Sequence, residues 1–309
     1  MSNQTHVSYF ILTGYFNVSQ LRYLIFVFLG FLYTVILFAN IFLITVISMN
    51  RTLHEPMFVF LCSLFLNEIY GSTSLFPFLL FHMLRDVHTV SHSLCFLQIF
   101  CLYSYATVEF FSLAVMSYDR YVAVCFPLQY HLQMNTRKVL VLIVISWSCP
   151  VVINIIPIIL SAPLKLCGNI IPKVYCDNYF IVSMACSNTR VNNIYGLIAT
   201  FLTVFVPVTF ILFTYLRILF ACFHASPQTK QKALSTCMPH FVSLINFSFG
   251  VCFEILQSRF NMSHVPNAFR VLLSLYWLVS PSILNPFMYG LNSSKVKTSC
   301  INLFGKVQA

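Results

Sequence analysis

A chain of 309 residues that is 59% apolar and only 8% charged, with a mean hydropathy of +0.84, cannot fold as a water-exposed globule, since a soluble domain carries about 25% charged residues. Seven acidic side chains are too few to coat such a surface, whereas 33 phenylalanines suit helices that face lipid. The net charge of +10 does not point to nucleic acid, because Lys and Arg stand singly between apolar runs and form no dense basic patch interleaved with aromatics.

The chain opens with a polar tail over residues 1–22. It carries two glycosylation sequons, Asn3-Gln4-Thr5 and Asn17-Val18-Ser19, which make Asn3 and Asn17 candidate sites. No basic n-region with a cleavage site precedes the first apolar run, so no removable signal peptide is expected. Crossing a hydrocarbon core takes about 20 apolar residues. Residues 23–291 supply seven such runs: Tyr23–Met49, Met57–Met83, Ser93–Val124, Val139–Ala162, Asn193–Cys222, Ala233–Gln257 and Asn267–Leu291. The expected fold is an all-α membrane protein, a bundle of seven transmembrane helices. The linkers are short except Pro163–Asn192, and no inverted repeat of the kind many transporters show is evident. Residues 292–309 form a short basic tail, in which Ser293–Phe304, with Lys295, Lys297, Leu303 and Phe304, suits an amphipathic helix on the inner leaflet. Cys300 there is a candidate for palmitoylation.

Seven spans put the two ends on opposite sides of the membrane. With the N-terminus outside, ten of the 17 Lys and Arg residues fall on the inner side and seven on the outer. The cysteines favour the same orientation. Half of the twelve, Cys62, Cys101, Cys149, Cys222, Cys237 and Cys252, lie in or beside spans, where cysteine is a small apolar filler. Cys125 and Cys300 fall inside, whereas Cys95, Cys167, Cys176 and Cys186 cluster on the outer side. Four cysteines allow three pairings, and an even set on one face suits an oxidising compartment.

Ionisable groups within a span are costly and mark function. Glu68 lies midway along the second span and Glu109 midway along the third. Two carboxylates at one depth repel, so either one is protonated or a cation sits between them, with Asn40 and Asn285 as further oxygen ligands; the alternative is a polar core satisfied by water and a neutral acid. No nucleophile, HExxH helix or glycine-rich phosphate loop accompanies them, so no enzyme activity is expected. At the inner end of the third span, Asp119 beside Arg120 reads as a charge pair able to open and close, or as a snorkelling anchor. In the seventh span, Pro281 and Pro286 flank Asn285, which predicts a broken helix and a hinge whose freed backbone groups Asn285 serves.

Four strings, in order and at the right spacing, resemble the rhodopsin-like G-protein-coupled receptors and, within them, the odorant receptors. Leu53-His54-Glu55-Pro56-Met57-Phe58 is similar to the family's LHxPMY, and Met116 through Val124 to its MAYDRYVAI. Lys232-Ala233-Leu234-Ser235-Thr236-Cys237, followed by His240, is similar to KAFSTCxSH, and Pro281 through Tyr289 to PxLNPxIY. The resemblance implies that Arg120 gates a G-protein cavity and is held by Asp119 at rest, with Tyr121 in the same string. It implies that Tyr215 and Tyr289 reorganise around Arg120, with Asn285 and Pro286 in the seventh-span motif. It also implies Cys95–Cys176 and Cys167–Cys186 disulfides, a sodium ion at Glu68 and Glu109, and a place in the plasma membrane of sensory cilia. The chain departs from the pattern with Glu68 where aspartate is usual, no tryptophan in the sixth span, and Phe247-Ser248 in place of Phe-Tyr. A retinal protein needs a lysine in the seventh span, and an amine receptor an acid at the position of Leu102; neither is present.

The resemblance places a small-molecule odorant among the outer halves of the third, fifth, sixth and seventh spans. Candidate lining residues are Tyr103, Ala106, Thr107, Asn154, Thr203, Cys252 and Ile255, mostly apolar or weakly polar. Arg259 resembles the HRF arginine of class I, or fish-like, odorant receptors, which in some members holds a ligand carboxylate. A guanidinium grips a carboxylate through two parallel hydrogen bonds; alternatively Arg259 pairs with Glu254 or Asp177, or is solvated. The expected function is an odorant receptor for a small acidic, water-soluble ligand, coupled to a stimulatory heterotrimeric G protein. A non-olfactory receptor for a metabolite acid shares that fold, and a transporter or channel explains neither the Asp119-Arg120 string nor the seventh-span motif.

Overall fold

A computed structural model describes residues 8–15, 21–223, 226–260, 262, 264–292 and 294–307. Strand β1 (Tyr9–Leu12) precedes helices α1 (Leu21–Met49) and α2 (Pro56–Met83). Strand β2 (Thr89–Ser91) leads into α3 (His92–Cys125), followed by the single turn α4 (Tyr130–Gln133) and by α5 (Thr136–Ser161). The long linker holds β3 (Ile170–Ile171) and α6 (Asn178–Ser183). Helices α7 (Arg190–Thr200) and α8 (Val206–Phe223) form one span, joined by a π turn at Phe201–Phe205. Then come α9 (Pro227–Arg259), α10 (Asn267–Asn292) and the tail helix α11 (Ser294–Val307).

Seven helices are long and apolar enough to cross a membrane, as the apolar runs predict. Which of them form the centre follows from burial. The most apolar stretches of α2 and α3 are 61% buried, against 17% for α1 and 22% for α5. In α1, Leu24, Val27, Phe28, Phe31 and Phe38 lie exposed on the bundle's outside, where lipid rather than water meets them. Helix ends follow local chemistry. Pro56 opens α2 after the extended Glu55, Ser91 accepts from Leu94 N at the start of α3, and Asn135 accepts from Lys138 N at the start of α5.

Two expectations need correction. The N-terminal tail is not merely polar, because β1 is the centre of a three-stranded sheet. It pairs antiparallel to β2 (Phe10 with Val90) and parallel to β3 (Leu12 with Ile171), with Phe10 and Leu12 buried beneath the long linker. Nor is the seventh span broken: α10 runs continuously through Pro281 and Pro286. The side chain of Asn285 serves other partners, described below, rather than freed backbone groups.

Three apolar layers stack along the bundle. The outer one gathers Phe10, Val90, Cys95 and Ile171, and the middle one Tyr105, Phe110, Phe247 and Trp277. The inner one holds Leu43, Leu53, Met116 and Tyr289. The tail helix docks below it, with Val296 buried, Asn50 bonded to Ser299 and Lys295 paired with Glu55.

Candidate functional site

Toward the outer end, α3, α5, the α7–α8 span, α9, α10 and the long linker enclose a cavity of about 200 Å³. Seven of the eight expected lining residues meet there: Tyr103, Ala106, Thr107, Asn154, Thr203, Ile255 and Arg259. Cys252 does not; it is exposed on the outside of the bundle. Helix geometry explains the difference. Val251, Glu254, Ile255 and Ser258 share one face of α9 at spacings of three and four, and Cys252 lies a further 100° round from Val251. On the opposite wall Asn154 Nδ2 donates to Thr107 Oγ1 (3.0 Å) and to the Pro150 carbonyl (2.8 Å), and Thr107 donates to the Tyr103 carbonyl (2.9 Å). Thr203 sits in the π turn, a distortion often found at functional sites.

One polar cluster at this cavity is absent from the expectations. Lys173, 2% exposed, reaches from the linker to Asp177 Oδ2 at 2.7 Å and to Glu254 on α9, and donates to Ser258 Oγ at 3.0 Å. Tyr175 donates to Glu254 Oε1 at 2.6 Å, and Trp277 donates its indole N–H to the Tyr175 oxygen at 3.3 Å. Burial opposes the charge on Lys173, but Asp177 and Glu254 outweigh it and hold its pKa above the usual lysine value. Burial likewise opposes the charge on Asp177, and Lys173 outweighs it, so that carboxyl is held below its usual range. Both candidate partners of Arg259 are thereby engaged elsewhere. The guanidinium of Arg259 lies over the Tyr179 ring, 4.6 Å from its centroid, and among the described residues no carboxylate stands within ion-pair distance of it.

Below the cavity, Glu68 and Glu109 are both fully buried and are brought together by Asn285. Its Nδ2 donates to Glu68 Oε1 (2.6 Å) and to Glu109 Oε1 (3.0 Å), while its oxygen accepts from Ser243 (2.6 Å). Asn285 therefore turns its amide hydrogens, not its oxygen, toward the carboxylates. Asn40 is one residue further off, donating to the Ile36 and Ser282 carbonyls.

At the inner end Asp119 and Arg120 form the expected pair, at 3.1 Å. Tyr130 adds a second hold on Asp119 (2.8 Å), and the Arg120 guanidinium contacts the Met57 sulfur. Tyr121 packs edge-on to Phe126. Tyr215 and Tyr289 do not bond to Arg120: Tyr215 meets His240 Nδ1 at 2.5 Å, and the buried Tyr289 hydroxyl has no partner among the described residues. His240 Nε2 in turn meets the Leu113 carbonyl at 2.9 Å, tying α9 to α3. The string around Ser235 had shown His240 without showing this role.

Both expected disulfides are present, Cys95–Cys176 and Cys167–Cys186, and the first fixes the linker to α3 immediately before Asp177. Asn3 and Asn17 lie outside the described residues.

Comparison with known proteins places this arrangement. A family profile described as Olfactory receptor matches residues 29–306. The chain is 32% identical over 304 residues to Olfactory receptor 10A6 of Homo sapiens, covering 98% of this chain and 96% of that one. It is 32% identical over 298 residues to Olfactory receptor 11A1 of Homo sapiens, covering 95% and 92%. It is 33% identical over 301 residues to Olfactory receptor 6E1 of Mus musculus, covering 96% and 95%.

Proposed function

The chain belongs to the olfactory receptor family, and on that premise we propose that its outer cavity takes small carboxylic acids through Arg259 and that it signals through a stimulatory G protein. Membership makes it an odorant-sensing, G-protein-coupled receptor that crosses the plasma membrane seven times, a signalling protein and not an enzyme.

The observation that carries the acid reading is the state of Arg259. It borders the cavity with no carboxylate of the described residues against it, because Lys173 has engaged both Asp177 and Glu254. A ligand carboxylate supplies the missing partner through two parallel hydrogen bonds. Size supports a short ligand. The cavity is about 200 Å³, below the ~300–1,000 Å³ usual for drug-sized ligands. The apolar body of the ligand lies against Leu102, Ala106, Val251 and Ile255, and Thr107 and Asn154 offer polar contacts at its far end. The class I reading rests on the same arginine. Binding shifts a two-state bundle in which α9 swings outward at its inner end, releasing Arg120 from Asp119.

The test is cAMP output from cells expressing the chain with an olfactory-type stimulatory G protein, given short carboxylic acids, amines and neutral alcohols. Arg259→Ala is expected to weaken acid potency by about 10- to 100-fold, the worth of a charge-assisted contact of ~1.5–3 kcal/mol, and to leave neutral ligands unaffected. Unchanged acid potency in the variant returns Arg259 to the role of a surface charge.

A further inference from the structure

Glu68 and Glu109 are the carboxylates at which the resemblance implies a sodium ion, with Asn40 and Asn285 expected as further oxygen ligands, and the arrangement around the carboxylates does not fit one. A cation needs oxygen lone pairs turned toward it; here Glu68 Oε2, the oxygen that faces Tyr105, spends both of its lone pairs on protein hydrogens, and each of the other three carboxylate oxygens accepts one. Glu68 Oε2 accepts from Tyr105 (3.0 Å) and from Ser282 (2.7 Å), and Glu68 Oε1 from Asn285 (2.6 Å). Glu109 Oε1 accepts from Asn285 (3.0 Å) and Glu109 Oε2 from Asn67 (3.0 Å). Of the two neutral ligands expected, the oxygen of Asn285 is taken by Ser243, whereas Asn40 donates to the Ile36 and Ser282 carbonyls, makes no bond to either carboxylate, and has an oxygen without a partner among the described residues.

The space is filled as well. Tyr105 is fully buried, and its ring lies so close to α2 that a Cβ on Gly71 would stand 2.3 Å from it. Only glycine leaves room for the phenol to reach Glu68. The longer glutamate, in place of the family's usual aspartate, meets that hydroxyl partway. The other side of the Tyr105 ring faces Trp277, at 5.7 Å between centroids, and Phe247, at 6.2 Å. Trp277 is itself part of the cavity wall.

We infer that Tyr105 takes the place of the sodium ion in this receptor: its ring fills the volume, its hydroxyl supplies Glu68 with a hydrogen, and the receptor signals without dependence on sodium. Tyr105 is then a positioning residue between the cavity wall and the carboxylate pair. A movement of Trp277 against it alters the hydrogen bonds on Glu68 and, through Asn285, those on α10. The inference uses family membership alone and does not depend on which odorant binds.

The test compares the purified full chain in sodium chloride and in choline chloride at equal ionic strength, with no odorant added. The melting temperature and the basal rate of nucleotide exchange on a co-purified G protein are read in both salts. The wild type is expected to give the same values in either salt. Tyr105→Ala, which vacates the site and frees Glu68 Oε2, is expected to melt several degrees higher in sodium than in choline and to show lower basal exchange there. A merely structural role for Tyr105 lowers stability equally in both salts. If the alanine variant does not fold, Tyr105→Asn, polar but too short to reach Glu68, is read in the same way. Wild type that is stabilised or quietened by sodium overturns the inference, and so does a folded variant that ignores the ion.

Discussion

Lys173 is a charged side chain almost wholly removed from solvent, and it stays charged because two carboxylates and a hydroxyl surround its ammonium group. Removing one partner from a buried ion cluster costs about 3–5 kcal/mol, far more than an exposed pair is worth, because the groups left behind are stranded. Lys173→Met is therefore expected to lower the melting temperature of the purified receptor sharply, and adding Asp177→Asn and Glu254→Gln is expected to recover part of the loss. The pH dependence carries a sign. Asp177 has a depressed pKa in the fold, so its contribution is present above its ordinary value of 3.8 and is lost as pH falls through the folded value. Lys173 has a raised one, so its contribution is present below 10.5 and is lost as pH rises through the folded value. Between those limits Lys173 and Asp177 add no slope of their own. In Lys173→Met the buried Asp177 carboxylate is left without its cation, so mild acidification, which neutralises it, is expected to stabilise the variant relative to wild type. A melting profile against pH that runs parallel in the two proteins would dismiss this account.

The long helices were legible because a membrane span announces itself through about 20 consecutive apolar residues, a signal that needs no knowledge of neighbours. What escaped reading depended on partners distant in sequence. Strand β1 exists only against Thr89–Ser91 and Ile170–Ile171, and Lys173 finds Glu254 across 81 residues. The cavity fared better, since the resemblance placed it in the outer halves of the spans, where Tyr103, Ala106 and Thr107 line it, whereas Cys252 needed the face of α9 to be known before it could be excluded. The prolines of α10 suggested a break that the packed bundle does not show. Close helix approach was equally hidden. Gly250 on α9 abuts α10, where an added Cβ would stand 2.6 Å from both Cα and Cβ of Trp277. Gly250→Ala gains up to ~1 kcal/mol of helix propensity, but overpacking costs about 1–3 kcal/mol, so the net effect is expected to be a loss. Gly30→Ala is the control: beyond its own helix backbone and chain neighbours, no atom of the described residues lies within 4 Å of the added methyl, and the propensity gain stands alone. Melting temperatures of the two variants should move in opposite directions, and a fall in both would mean that packing at Gly250 is not the cause.

At the scale of the whole molecule the outer face is a lid. The long linker supplies part of the cavity wall through Tyr175, Asp177, Asn178, Tyr179 and Val182, and the three-stranded sheet and two disulfides hold that linker in place. The two bridges bear different loads, and chain entropy does not explain why. Their sequence separations of 81 and 19 residues correspond to stabilisations that differ by only about 1 kcal/mol in the loop-closure treatment. Position separates them. Cys95–Cys176 is buried and joins the linker to α3, with Cys176 N also held by Gln98 Oε1 (3.0 Å). Tyr175 and Asp177, the neighbours of Cys176, reach into the cavity wall and anchor the Lys173 cluster. Cys167–Cys186 closes a loop that its own backbone already holds, through Cys167 N to the Met184 carbonyl and Cys186 N to the Lys165 carbonyl, both 2.8 Å. Replacing Cys95 and Cys176 together by serine is therefore expected to abolish the cAMP response and most surface expression. The same change at Cys167 and Cys186 is expected to keep most surface receptor and to shift ligand potency only a few-fold. Surface labelling with paired cAMP measurements checks both, and equal losses in the two variants would mean that the lid folds as one unit whose bridges cannot be ranked by the elements they join.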